Sequence, residues 1–336
     1  MRRAYIVRYG AWGDHIHATH LPRLLKEREG FDHVTVEHNF KGNKIWPNHP
    51  LIDELVCFDP HFEIKERRLP YATVLKRLDV LKNWGKYEKF INLQNSLEYG
   101  QLAMEDTNDY YRSSEYRRKK FGEYSYYDWT TMWAGYPQHI GMVGELYFTE
   151  EEEIVVKKLF DTVWKDKFVL VVNLSGSNKH KLFYNSERIV KSFLEKHKDA
   201  ICITMGNKDC QDWLEFKGER IWNRANKYGF RQSMLTTKYA DMVVSGESGL
   251  PIASTLFGIP TIQLMTAANI LNHGGGFPND YSIQSKAWCS PCHKGPYDYI
   301  GCPKFDYLGE KYPICIREFD PEEILAKMDR IYAISR

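Results

Sequence analysis

The apolar positions of this chain fall in short runs separated by polar connections. Four β-branched or aromatic runs occupy the first half: AYIVRY (4–9), HVTVEH (33–38), ELVCF (54–58) and KFINL (89–93). Runs of this length bounded by turn residues predict strands. Between the first two, LPRLLKERE (21–29) sets Leu21, Leu24, Leu25 and Arg28 at helical spacing. Val74, Leu75, Leu78 and Leu81 repeat that period between the third and fourth. The second half reads alike. FVLVVN (168–173) precedes a polar loop and the helix SERIVKSFLEKH (186–197), whose Ile189, Val190, Phe193 and Leu194 share one face. AICITM (200–205), DMVVS (241–245) and PTIQL (260–264) come next. Alternating strands and helices predict an α/β fold with parallel sheets covered on both faces.

At 336 residues the chain exceeds the roughly 100–200 residues of one domain, which predicts two such sheets in tandem. The joint is expected between Pro137 and Lys167, where GYPQHIGMVGELYFTEEEE turns Gly-rich and then acidic. A last helix begins with Asp320 as N-cap, Pro321 at the first helical position and Glu323 placed for a capping box. Segment 99–136 does not follow the alternation. It carries Arg112, Arg117, Arg118, Lys119 and Lys120 among many Tyr and Trp residues. That mixture fits a solvated helix face over an aromatic cluster, or a surface for an anionic or glycan-like ligand.

Charge and cysteines narrow the picture. With 46 basic and 44 acidic residues, the chain is not built to bind polyanions with its whole surface, so a nucleic-acid partner is disfavoured. No secretory signal is legible in MRRAYIVRYGAWGD, and no apolar run approaches the ~20 residues that cross a bilayer. A soluble, cytoplasmic protein is expected, with membrane contact limited to a peripheral one at the inner face. Seven cysteines without a secretory signal argue against a disulfide framework. Cys289, Cys292, Cys302 and Cys315 leave three readings open: a structural zinc, a disulfide or redox pair, or packed thiols.

Three loops carry candidate chemistry. RYGAWGDHIHATHLPRLL (8–25) runs from strand through a Gly-containing turn to helix, at the sheet edge where α/β proteins bind ligands. Gly10 and Gly13 permit close approach, and Asp14 is either the helix N-cap or a catalytic carboxylate. His15, His17 and His20 lack a carboxylate at ligand-like spacing, so no metal is expected there. The turn matches neither G-x-G-x-x-G nor the Walker pattern. In NLSGSNKHKLFYNSE (173–187), Ser175, Gly176, Ser177, Lys179 and Lys181 could hold a diphosphate, or form a plain polar loop. In ADMVVSGESGLPIASTLFGIPTIQL (240–264), a strand ending at Ser245 leads through Glu247, Ser248 and Gly249 into a helix, with the amides of 248–250 at its N-terminus.

Together YGAWGDHIHATHLPRLLK, NHPLIDELVCFD, LSGSNKHKLFYNSE and ADMVVSGESGLPIASTLFGIPTIQL, in this order, resemble glycosyltransferase family 9, the ADP-heptose:lipopolysaccharide heptosyltransferases. The cysteine-bearing tail and the last helix resemble the family as well. The resemblance implies the GT-B fold, with an acceptor-side Rossmann-like domain (1–160), a nucleotide-sugar-binding one (161–318), and a terminal helix (319–336) packing back on the first. It implies inverting, metal-independent transfer of a heptose-like sugar from an ADP-sugar to a hydroxyl of a glycan or glycolipid such as a lipopolysaccharide core. No cofactor beyond the donor is implied. Asp14 beside Gly13 would be the general base. Ser175, Gly176, Ser177 and Lys181, with Glu247, Ser248, Gly249 and Leu250, would bind the donor. The family's Asp-Thr-Gly-Leu followed by Ser-His is Glu247-Ser248-Gly249-Leu250 followed by Pro251-Ile252 here. The alternatives are transfer to a modified nucleic acid base, or a non-catalytic nucleotide-sugar or glycan-binding protein of this fold.

Overall fold

The structure, a computed structural model, describes residues 1–58, 71–137, 141–207, 219–274, 276–295 and 312–336. It divides into two compact units. One comprises Met1–Leu97 and Tyr126–Phe148, the other Glu98–Ser125 and Thr149–Arg336. Segment 98–125 therefore leaves the first unit for the second, and 126–148 returns.

In the first unit β1 (Arg3–Arg8), β2 (His33–His38), β3 (Glu54–Cys57) and β4 (Lys89–Asn92) form one parallel sheet in the order β3-β2-β1-β4. Between β1 and β2 lie α1 (Trp12–Ile16) and α2 (Leu21–Arg23), the latter continued by a π-helical turn at Leu24–Arg28. The predicted period is kept: Leu21, Leu24 and Leu25 are buried with Ala4, Ile6, Val34, Val36 and Trp46. On the opposite face, Tyr5, Val7 and Tyr9 pack with Val74 and Leu78 of α3 (Tyr71–Asn83). Two faces covered by helices explain the near-continuous apolar character of β1.

The second unit holds α4 (Asn108–Tyr111) and α5 (Ser114–Phe121); α6 (Tyr126–Trp133) belongs to the first. After α7 (Glu150–Thr162) come β5 (Phe168–Asn173), α8 (Ser186–Lys196), β6 (Ala200–Met205), β7 (Ile221–Asn223), α9 (Phe230–Lys238), β8 (Met242–Gly246), α10 (Gly249–Leu256), β9 (Thr261–Met265), α11 (Ile270–His273) and β10 (Ile283–Gln284). The six strands are parallel in the order β10-β9-β8-β5-β6-β7. The strands read from apolar runs are all present. β7 and β10 are additional, and their two or three residues are too short to produce a run. The last helix (Pro321–Ser335) starts as predicted, with Asp320 accepting the Glu322 amide at 3.0 Å, but Glu323 pairs with Lys286 at 2.7 Å instead of closing a capping box. Its Ile324, Met328 and Ile331 are buried with Phe168, Val190 and Phe193 in the core of the second unit.

In both sheets the chain builds strands outward on one side of the first strand and then crosses to the other side. The reversal falls between β1 and β4 in one sheet and between β5 and β8 in the other. At such a switch point the connections leave the carboxyl ends of two adjacent strands in opposite directions and open a crevice, the usual ligand position in open α/β sheets.

Candidate functional site

At the first switch point stands a charged pair. Arg8 ends β1 with its side chain only 1% exposed, and its Nη2 lies 3.4 Å from Oδ2 of Asp14, whose side chain is 25% exposed. The guanidinium also donates from Nη1 to the Leu93 carbonyl at 2.7 Å, just past the end of β4, so it spans the two diverging strands. Asp14 is not the N-cap of α1. Ala11 holds that position, and Asp14, three residues on, turns back to accept the Ala11 amide on Oδ2 at 2.6 Å. Both contacts fall on one oxygen and fix the carboxylate's direction. Gly10 makes the fold-back possible, because a Cβ there would sit 2.6 Å from Asp14 Oδ2. Gly13 is the second residue of α1. Glu37 makes a useful contrast. It is 0% exposed, and its carboxylate takes the hydroxyls of Tyr5 and Tyr9 and the guanidinium of Arg77, which leaves it no access to a ligand.

The three histidines after Asp14 are buried. Trp46 Nε1 donates to His15 Nδ1 at 3.0 Å, so Nε2 carries the proton and donates to Asn39 Oδ1 at 2.8 Å. Asn39 Nδ2 in turn donates to the Gly10 carbonyl at 3.0 Å. His15 is therefore a neutral spacer that braces the Gly10 turn. Burial, then the Arg8 charge, lower its pKa to about 3. His20 donates from Nε2 to Thr131 Oγ1 at 2.8 Å, since that hydroxyl already donates to Tyr127, and burial lowers its pKa to about 4. His17 packs edge-on against Tyr126 and Tyr127.

The second switch point is held by neutral groups. Asn173 ends β5, and its Nδ2 is shared among the Ser175 carbonyl at 3.0 Å, Ser245 Oγ at 2.9 Å and Ser248 Oγ at 3.0 Å. It thus ties the loop after β5 to the turn after β8, a role nothing in the sequence reading assigned to it. Gly176 and Gly246 lie where these segments cross. A Cβ on Gly176 would come within 2.7 Å of the Glu247 carbonyl and 2.8 Å of Lys181 Cβ, and one on Gly246 would overlap the Lys181 carbonyl. Neither has a positive φ, so contact, not conformation, calls for glycine. Ser248 is the N-cap of α10 and no side chain caps the helix. The first-turn amides at Gly249 and Leu250 therefore donate no hydrogen bond to the N-cap side chain. Lys181 Nζ has no ion-pair or hydrogen-bond partner among the described residues. Burial, then the Lys181 charge, lower the His180 and His273 pKa values to about 3. Ser177 is exposed.

Glu247, a residue of the expected donor site, holds the loop that follows β9. It is 2% exposed. Its Oε1 accepts the amides of Thr266, Ala267 (2.7 Å) and Ala268 (3.3 Å) and the Thr266 hydroxyl (3.0 Å). The same Thr266 hydroxyl lies 2.9 Å from the His180 carbonyl. Glu247 thereby clamps the loop after β9 to the other two.

The structure also divides segment 99–136. In the second unit, Arg117 donates to the Cys292 carbonyl at 2.6 Å, and Arg118 to the carbonyls of Trp288 (2.7 Å) and Ser290 (2.9 Å). Lys120 pairs with Asp109 at 2.6 Å. Three of the five bases hold the fold. Among the described residues no group of three His, Cys, Asp or Glu side chains gathers as for a metal. Among the described residues Cys289, Cys292 and Cys315 form no disulfide, and Cys302 lies outside them. Among those residues no helix is long and apolar enough to cross a membrane.

No protein-family model and no curated protein matches the chain. Solved structures do. The glycosyl transferase family 9 protein of Veillonella parvula DSM 2008 aligns over 98% of this chain and 97% of its own, at 13% identity and TM-score 0.68. The E. coli ADP-heptose LPS heptosyltransferase II aligns over 98% of both chains, at 12% identity and TM-score 0.65. E. coli heptosyltransferase WaaC, solved with ADP, aligns over 98% of this chain and 99% of its own, at 10% identity and TM-score 0.58. The likeness runs through both sheets, and this chain has the fold of family 9 glycosyltransferases, GT-B, as the four sequence stretches implied.

Proposed function

We propose that the protein transfers a sugar from a nucleotide-sugar, ADP-linked and heptose-like, to a hydroxyl of a glycan or glycolipid. The observation that carries this reading is the pairing of two switch-point sites in one chain of GT-B fold. One presents a directed carboxylate; the other presents a lysine unpaired among the described residues and a helix terminus with no side-chain cap.

The chemistry arises from those groups. Asp14 takes the acceptor hydroxyl proton on its unheld oxygen as that hydroxyl attacks the anomeric carbon. The bond to the nucleoside diphosphate breaks on the opposite face, and the anomeric configuration inverts. Lys181, the hydroxyls of Ser175 and Ser177, the backbone at Gly176 and the α10 terminus at Ser248, Gly249 and Leu250 take up the charge on the departing diphosphate. This division of labour needs no metal, because the lysine and the helix dipole supply the positive field. Glu247 acts one step back, by holding the loops in place.

The nucleic-acid alternative loses its main support, because Arg117 and Arg118 are committed to backbone carbonyls. The test is thermal stabilisation by ADP, UDP and GDP. Stabilisation by ADP above the other two supports the reading, and stabilisation by none overturns it. ADP binding without sugar transfer to any acceptor points to the non-catalytic alternative.

A further inference from the structure

We infer that the indoles of Trp129 and Trp133, on α6 of the first unit, form the platform on which the acceptor's sugar ring stacks. The inference deepens the proposed transfer and rests on it for the identity of the occupant.

Among the described residues β4 pairs with β1 alone and forms an edge of the first sheet. The Leu93 amide donates to Val7 and its carbonyl accepts Arg8, so residue 93 faces β1. Residue 92 consequently faces outward. Trp133 Nε1 donates to the Asn92 carbonyl at 2.8 Å, and Trp129 Nε1 donates to the Ser96 carbonyl at 2.8 Å. Both indole N–H groups are thus bonded to the backbone at the end of β4, and the rings are held in fixed orientation, 6.1 Å apart. The other face of α6 is anchored on the α1–α2 segment, through Tyr126 and Tyr127 against His17 and through Thr131 with His20. The pair therefore borders the same sheet end as Asp14, one backbone step from the carbonyl that Arg8 holds.

Covering a sheet edge explains the N–H bonds but not the exposure. Trp133 is 46% exposed, and Trp12, at the start of α1, is 39% exposed. The exposed, rigid, uncharged indole of Trp133, with Trp129 tilted 46° beside it, suits the C–H face of a pyranose, which stacks on such a ring at little cost in side-chain entropy. It does not suit a phosphate or a carboxylate. The structure thus moves the acceptor contact from the basic half of segment 99–136 to its aromatic end.

The test uses the full chain, fluorescently labelled, on a printed glycan array spanning neutral, N-acetylated and acidic sugars. Trp133→Phe and Trp133→Leu both remove the N–H bond and both fill the space; only Phe keeps an aromatic face. Wild type is expected to retain a set of glycans. Trp133→Leu should bind them about tenfold more weakly, equivalent to ~1.4 kcal/mol, and Trp133→Phe within about threefold of wild type. Equal loss in both variants, no loss in Leu, or no glycan retained by wild type overturns the platform. So does a dimer-to-monomer change in Trp133→Leu by sedimentation, which would make the surface a subunit interface. ADP stabilisation of each variant is read in parallel. If ADP fails to stabilise even wild type, the donor reading falls while the glycan result stands or falls on its own.

Discussion

The two switch points share a topology and differ in chemistry. The first is organised by charge: a buried guanidinium reaches across diverging strands and directs a carboxylate that keeps a quarter of its side chain exposed. The second is organised by uncharged groups, an asparagine amide and two serine hydroxyls, with a buried glutamate clamping a third loop. On the proposed function, the same kind of crevice would serve proton transfer in one unit and hold a diphosphate in the other. The connection leaving each first strand decides which: an acid one turn into a short helix, or a serine- and lysine-bearing loop.

The sharpest way to break the comparison is Asp14→Asn. It keeps the shape and the Ala11 contact but cannot take a proton, so kcat should fall by about 10²–10⁴-fold while ADP stabilises the variant as it does wild type. Turnover at the wild-type rate would remove the base assignment. Next is Gly246→Ala, whose Cβ overlaps the Lys181 carbonyl. Overpacking against backbone should cost about 1–3 kcal/mol and abolish ADP stabilisation, measured by denaturant melts and thermal shift. The change should leave hydrogen exchange of β1 and β2 untouched, and a loss of protection there would mean the two sites are not separable.

Glu247→Gln tests whether the clamp depends on charge. Charge-assisted bonds to the amides of 266–268 weaken when the acceptor is neutral, by about 1–2 kcal/mol in total. Faster amide exchange at Ala267 and Ala268, with weaker ADP binding, is the expected result; unchanged exchange would show the carboxylate charge to be irrelevant. Acid probes the first unit as a whole. His15 and His20 have folded pKa values of about 3 and about 4, and burial lowers those of His38 and His49 as well. All four lie below the unfolded value near 6.5. The unfolded chain then binds more protons, so stability is full above about pH 6.5 and falls as pH drops toward 4, by up to ~1.4 kcal/mol per pH unit for each histidine. Hydrogen exchange of β1 and β2 from pH 7 to 5 measures this, and a flat profile would contradict the buried neutral assignment.

Most of the fold was legible because parallel strands buried on both faces must be apolar along their length, and the helices between them must carry a 3.6-residue stripe. β7 and β10 were not legible, since a two- or three-residue strand leaves no period. The candidate residues were legible as types in loops, but their parts were not. Asp14 read as a cap or a base; it braces the helix start from the third position while staying partly exposed. Glu247 read as a donor contact, and its part as a clamp was not legible, because the loop it holds lies 19 residues further along. Asn173 gave no signal, being one polar residue at the end of an apolar run.

The sequence by itself determined two α/β sheets, the loops at their carboxyl ends and the acid and lysine those loops carry, because these are consequences of local periodicity and turn chemistry. Only the tertiary structure decided that Arg8 meets Asp14, that Gly246 meets Lys181, that Arg117 and Arg118 are committed to backbone carbonyls, and that Trp129 and Trp133 cap a sheet edge. Each is a contact between segments distant along the chain or turned toward one another by a helix, and its partner is fixed by strand order and close packing, which no local pattern encodes.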